Sequence, residues 1–158
     1  MHNERRVISV IARNEHGVLA RIAGLFAGRG YNIESMTVAP VPHSEFSHFT
    51  IETDGDKKTL EQIVKQLHKL IPVLKVIDHR SDNVVEKEMA LVKFSMDGPL
   101  ADIDALCRAY NGSFVNTGEG IVIAMVVDEP KRVRNFIKVI EKFNPKDVAL
   151  SGVVAIQR

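Results

Sequence analysis

The sequence is poor in cysteine: Cys107 is the single thiol in 158 residues, which excludes an internal disulfide framework. It also lacks an excess of charge of either sign. Against 21 Lys and Arg stand 20 Asp and Glu, for a formal net charge of +1. That balance gives no electrostatic reason to expect nucleic acid or an acidic membrane surface as a partner. No stretch approaches the roughly 18 apolar residues of a membrane span, and residues 1–6 lack the apolar core of a signal peptide. The expected setting is the cytoplasm.

Catalytic signatures are missing as well. The six histidines, His2, His16, His43, His48, His68 and His79, are scattered, with no H-E-x-x-H and no recognisable ligand spacing. His43 and His48 flank a turn, but two ligands do not make a zinc site. Cys107 falls on an apolar helical stripe between Leu106 and Tyr110, which predicts a buried inert thiol. There is no G-x-S-x-G and no P-loop. Gly28-Arg29-Gly30 resembles the start of a dinucleotide fingerprint, yet it follows a helical pattern where a strand is required, so it reads as a helix stop. The expectation is a chain with no catalytic residues, no metal ligands and no cofactor of its own.

What is present is a pattern stated twice. Residues 7–12 are β-branched and compact, as in a buried strand. From Val18 the apolar positions Val18, Leu19, Ile22, Leu25 and Phe26 follow helical spacing up to Gly28. Residues 32–38 alternate as a strand, Pro40-Val41-Pro42 interrupts, and residues 46–53 form another. Asp54-Gly55-Asp56 is a turn; Leu60, Ile63, Val64, Leu67 and Leu70 mark a second helix that Pro72 ends, and residues 73–77 make a fourth strand. A polar stretch, His79-Arg80-Ser81-Asp82-Asn83, separates this βαββαβ unit from its repetition.

In the second unit residues 89–96 read as a strand entered through Glu86-Lys87-Glu88. Asp97-Gly98-Pro99 opens a helix, and residues 113–115 and 121–127 form a hairpin around Thr117-Gly118-Glu119-Gly120. Glu129-Pro130 starts the next helix with Val133, Phe136, Ile137 and Ile140 on its apolar face. Asn144-Pro145 stops it, and residues 148–156 are the last strand. The expected fold class is α+β: two tandem ferredoxin-like βαββαβ modules, residues 1–80 and 84–158, each an antiparallel sheet in the order 4-1-3-2 with its helices on one face. Ile8, Val10, Met36 and Val38 are not expected all to fit on the helix side, so the opposite face needs a cover and an oligomer is expected.

The loop Arg13-Asn14-Glu15-His16-Gly17 joins the first strand to the first helix. Gly17 allows a close backbone approach, and the first N–H groups of a helix lack internal partners, so this end attracts a carboxylate. The Asn14 amide can donate to that carboxylate or accept from an ammonium group. An ordinary turn and helix cap explains the same residues.

The segment Asn14-Glu15-His16-Gly17-Val18-Leu19-Ala20-Arg21-Ile22-Ala23-Gly24-Leu25-Phe26 resembles the ligand loop and first helix of ACT domains. Its continuation, Arg29-Gly30-Tyr31-Asn32-Ile33-Glu34-Ser35-Met36-Thr37-Val38-Ala39, resembles the small regulatory subunits of acetolactate synthase, also called acetohydroxyacid synthase. Residues 60–70 and 85–93 extend the likeness, which covers essentially the whole chain and is looser after about residue 95. The resemblance implies a non-catalytic subunit that activates a thiamine-diphosphate-dependent catalytic (large) subunit. It also implies feedback inhibition by valine in valine, leucine and isoleucine synthesis. It implies a homodimer of ACT modules paired through their second strands, with valine at the interface. Asn14, Glu15, His16, Gly17, Val18 and Leu19 would come from one chain, Asn32 and Ile33 from its neighbour. Ala20 stands where many relatives carry serine and His48 where they carry arginine, and a usual arginine before Ser151-Gly152-Val153-Val154 is absent. A stand-alone amino-acid-sensing ACT protein is the alternative.

Overall fold

The computed structural model describes residues 2–80 and 83–158. The first half runs β1 (Glu4–Arg13), α1 (Val18–Gly28), β2 (Ser35–Pro40), β3 (Phe46–Gly55), α2 (Lys57–His68) and β4 (Val73–His79). The second runs β5 (Val84–Ser95), α3 (Leu100–Ala109), β6 (Gly112–Gly118), β7 (Ile121–Asp128), α4 (Pro130–Ile140), a 3-10 turn (Glu141–Phe143) and β8 (Asp147–Gln157). The sheets are ordered β2-β3-β1-β4 and β6-β7-β5-β8, the expected 4-1-3-2 arrangement twice. The fold is two tandem ferredoxin-like modules. Ser81 and Asp82, within the polar stretch read as a boundary, lie outside the described residues.

Local chemistry accounts for the helices. The Asp56 carboxylate accepts from the Thr59 N–H at 3.0 Å and so caps α2. Lys65 and His68 in the last turn of α2 suit the negative end of its dipole. Pro130 occupies the first turn of α4, where a missing N–H costs nothing. The apolar faces then bury. Ile8, Val10 and Ala12 of β1 and Phe49 and Ile51 of β3 pack with Val18, Ile22 and Phe26 of α1 and Leu60, Ile63 and Leu67 of α2. The second core joins Ala90, Val92 and Phe94 to Ile103, Cys107, Val133, Phe136 and Ile140. Each fully buried large side chain contributes roughly 1.5–3 kcal/mol relative to exposure.

Register corrects one expectation. Ile8 pairs with Ile51, which pairs with Met36; Val10 pairs with Phe49, which pairs with Val38. Directly paired residues share a face, so all four lie on the helix side after all. Val38, on the outer strand β2, stays 44% exposed. The other face of this sheet carries Val7, Ser9, Thr50 and Glu52, each buried within the single chain. Ser9 Oγ and His79 Nε2 lie 2.8 Å apart, and Glu52 takes hydrogen bonds from Arg5 at 2.5 Å and Ser35 at 3.0 Å.

Boundaries shift elsewhere. β2 begins at Ser35, so Asn32 precedes the strand instead of opening it. The residues before β2 are tied to β3 by Glu34 N–H to Glu52 C=O at 2.8 Å and by Thr53 Oγ1 to Asn32 C=O at 2.5 Å. The Thr117–Gly120 turn contracts to Glu119 and Gly120, whose φ values of 53° and 78° are those of a two-residue type I′ hairpin. α2 ends at His68, and Pro72 lies in the following turn.

Candidate functional site

The β1–α1 loop is held on both sides by backbone bonds. Arg13 N–H donates to Pro72 C=O at 2.9 Å and Asn14 N–H to Glu45 C=O at 2.8 Å, while Glu15 N–H turns back onto Arg13 C=O at 3.0 Å. Gly17 then starts α1 in a left-handed conformation, φ 83°, and its C=O accepts the Arg21 N–H at 3.0 Å. No side chain caps this helix and its first turn holds no acidic residue. A Cβ at position 17 would meet nothing within 4 Å. An open, uncapped helix N-terminus therefore faces solvent beside a glycine, with its orphan N–H groups and positive dipole end available to an anion.

The side chains sort themselves by burial. Asn14, Glu15, His16 and Gly17 are exposed, and so is Leu19 at 49%. Val18, only 3% exposed, belongs to the first core, which leaves only its backbone to face a ligand. Ala20 is exposed in the first turn of the helix. His48 lies two rows further into the sheet, paired with Ile11 and Ala39 on the face away from the helices. Its Nε2 is buried with no partner among the described residues, and burial lowers its pKa.

Asn32 and Ile33 sit at the far end of α1, whose 11 residues make it about 16 Å long. Within one chain the structure does not bring them to Asn14 and Gly17. The Asn32 side-chain amide donates to Glu34 and Ile33 is half-buried against the first core. Glu45 and Pro72, which the sequence did not place at this loop, hold it through their carbonyls, an interaction that leaves no side-chain signal.

The corresponding corner of the second module differs. Pro99 precedes α3, Leu100 N–H donates to Gly98 C=O at 2.9 Å, and Asp102 already occupies the first turn. Cys107 is fully buried, and burial, helped by the Asp104 charge, pushes its thiol up to about 11. Among the described residues no group of three or more His, Cys, Asp or Glu could hold a metal ion, and no helix is long and apolar enough to cross a membrane.

Two family models match the chain: the "AHAS small subunit-like ACT domain" over residues 8–75 and the "small subunit of acetolactate synthase" over residues 87–158. The acetolactate synthase small subunit of Buchnera aphidicola (subsp. Baizongia pistaciae) is 36% identical over 157 residues, covering 98% of this chain and 99% of that one. The acetolactate synthase isozyme 3 small subunit of Escherichia coli K12 is 39% identical over 156 residues, with 98% and 96% covered. The crystal structure of the acetolactate synthase small subunit from Thermotoga maritima superposes with a TM-score of 0.88 at 33% identity, covering 98% of each chain. Both modules and nearly the full length are matched by the same kind of protein, and the chain belongs to the acetolactate synthase small-subunit family.

Proposed function

We propose that this chain is a non-catalytic, cytoplasmic subunit that activates the thiamine-diphosphate-dependent catalytic subunit of acetolactate synthase and makes it sensitive to valine. The observation that carries the effector part is the uncapped α1 N-terminus beside Gly17, where a Cβ would meet nothing within 4 Å and the first turn holds no acidic residue. The N–H groups there take the valine carboxylate, and the Asn14 amide takes its ammonium group or a carboxylate oxygen. Glu15 and His16 line the approach, and exposed Leu19 offers an apolar contact for the isopropyl group. Asn32 and Ile33, at the other end of α1, act from a second copy paired through β2. β2 is the outer strand of its sheet, a position that invites pairing with another strand, and Val38 is exposed upon it.

In this reading residues 1–80 form the effector-binding unit and residues 84–158 a companion module. Feedback requires valine to favour one state of the complex over another, since equal affinity shifts nothing. The test is the activity of the catalytic subunit with and without this chain, across a valine titration. Expected are higher activity on adding the chain and a valine-dependent loss only when it is present. Activity that ignores the chain, or valine inhibition equal in both cases, overturns the reading.

A further inference from the structure

The turn between α2 and β4 displays an apolar knob. Val73 N–H donates to Leu70 C=O at 3.0 Å, closing a tight turn with Ile71 and Pro72 at its centre. Leu70 and Val73 on either side pack against the first core, and Pro72 is buried. Ile71 between them is 93% exposed, the most exposed large apolar residue of the chain's described part. Leu74, three residues on and therefore within about 10 Å, is 64% exposed. It is the extra residue where the β1–β4 register shifts between Ile11 and Ala12, and bulges of this kind re-aim side chains near functional sites. A solvated turn tip would be filled by Gly, Asn, Asp or Ser. Here an isoleucine is held out on a pinned turn, so little conformational entropy is lost when it enters a pocket.

We infer that Ile71 and Leu74 form the contact through which this chain docks on the catalytic subunit, a step that rests on the regulatory-subunit reading above. Charge defines the complement. Exposed Lys69 and Lys75 flank the two apolar side chains, so the matching surface is an apolar pocket rimmed by carboxylates. The same turn is joined to the effector loop: Pro72, next to Ile71, accepts the Arg13 N–H, and Asn14 follows directly. Movement of the loop on taking up a ligand is thereby passed to the knob, which links effector binding to docking without a long relay.

The experiment titrates the full chain against the catalytic subunit and reads the concentration for half-maximal activation. Ile71→Asp and, as a milder change, Ile71→Thr are compared with the parent, with thermal unfolding and sedimentation velocity on each. Expected for Ile71→Asp is at least a tenfold rise in that concentration, with an unchanged melting midpoint and oligomeric state. Ile71→Thr gives a smaller rise, and Lys69→Glu with Lys75→Glu weakens docking most at low salt. Half-activation within twofold of the parent for Ile71→Asp overturns the inference. So does a loss of self-association in either Ile71 variant, which would assign the knob to a second copy. A parent chain that fails to activate at all overturns the regulatory reading itself, and the inference falls with it.

Discussion

Replacing Gly17 by aspartate separates ligand binding from folding, because the two effects have different sizes at this position. The backbone there sits at φ 83°, where an L-residue costs about 1–2 kcal/mol, but no neighbouring atom lies within 4 Å of an added Cβ. A carboxylate at the N-terminal end of α1 returns roughly 0.3–1 kcal/mol through the helix dipole. The net loss of stability is about 1 kcal/mol, or a fall of about 2–4 °C in the melting midpoint for a chain of this size. Effector binding suffers far more. Each charge-assisted hydrogen bond to the valine carboxylate is worth about 1.5–3 kcal/mol, and an aspartate at position 17 places a competing anion on the same donors. Losing two such bonds weakens binding by about two to four orders of magnitude. Gly17→Ala carries the backbone cost without the charge, and its affinity falls by less than about tenfold. Isothermal titration of valine into the parent and both variants, with melting curves on each, measures both quantities. Binding by Gly17→Asp within threefold of the parent would refute the placement of the carboxylate at this helix end.

Two further substitutions test the framework of the second module. A Cβ on Gly112 would stand 2.6 Å from Met125 O and from Val126 Cγ2 and 3.0 Å from Cys107 O, so Gly112→Ala destabilises by about 1–3 kcal/mol, read from chemical denaturation; an unchanged midpoint would show that β6 moves aside freely. Burial alone would raise the Asp128 pKa, but hydrogen bonds from Arg132, the Glu129 N–H and Asn111, with the Arg132 charge, bring it from 3.8 down to about 2. Its stabilisation is therefore complete above pH 3.8 and lost as pH falls toward 2; Asp128→Asn lowers stability at neutral pH and flattens that part of the acid-denaturation curve, and a variant curve parallel to the parent's contradicts the account.

Much of the fold was legible because its signals are local and repeated. The core positions of α2, Leu60, Ile63 and Leu67, have the same spacing as Val133, Phe136 and Ile140 of α4. Residue spacing alone marks both. Sheet faces were harder to read. In β1, residues 7–12 are apolar or small on both sides, and no periodicity decides which side meets the helices. Only pairing with Ile51 and Phe49 puts Ile8 and Val10 together with Met36 and Val38. The site was half legible. Gly17 before a helical pattern is a sequence signal, and the structure gives it the left-handed φ that makes glycine the fitting residue. The carbonyls of Glu45 and Pro72 that hold the loop are not, since any residue type could supply them. Ile71 was passed over for the same kind of reason. It follows Leu70, the last residue of the helical apolar pattern, and only the turn geometry shows that it points away from the core.

The two modules share a topology, yet they present opposite electrostatics at the same corner. In the first, the strand-to-helix loop ends in a left-handed glycine and leaves the helix end without a cap or an acidic side chain. In the second, Asp102 places a carboxylate in the first turn of α3 and Leu100 N–H is already engaged by Gly98. An anion arriving at α3 meets a like charge where one arriving at α1 meets free donors. Repetition of a fold therefore does not repeat the chemistry of its helix ends. Gly17 and the bare first turn of α1 set the first module apart, and the second keeps the scaffold with Asp102 in the first turn of α3 and the Leu100 N–H bonded to Gly98.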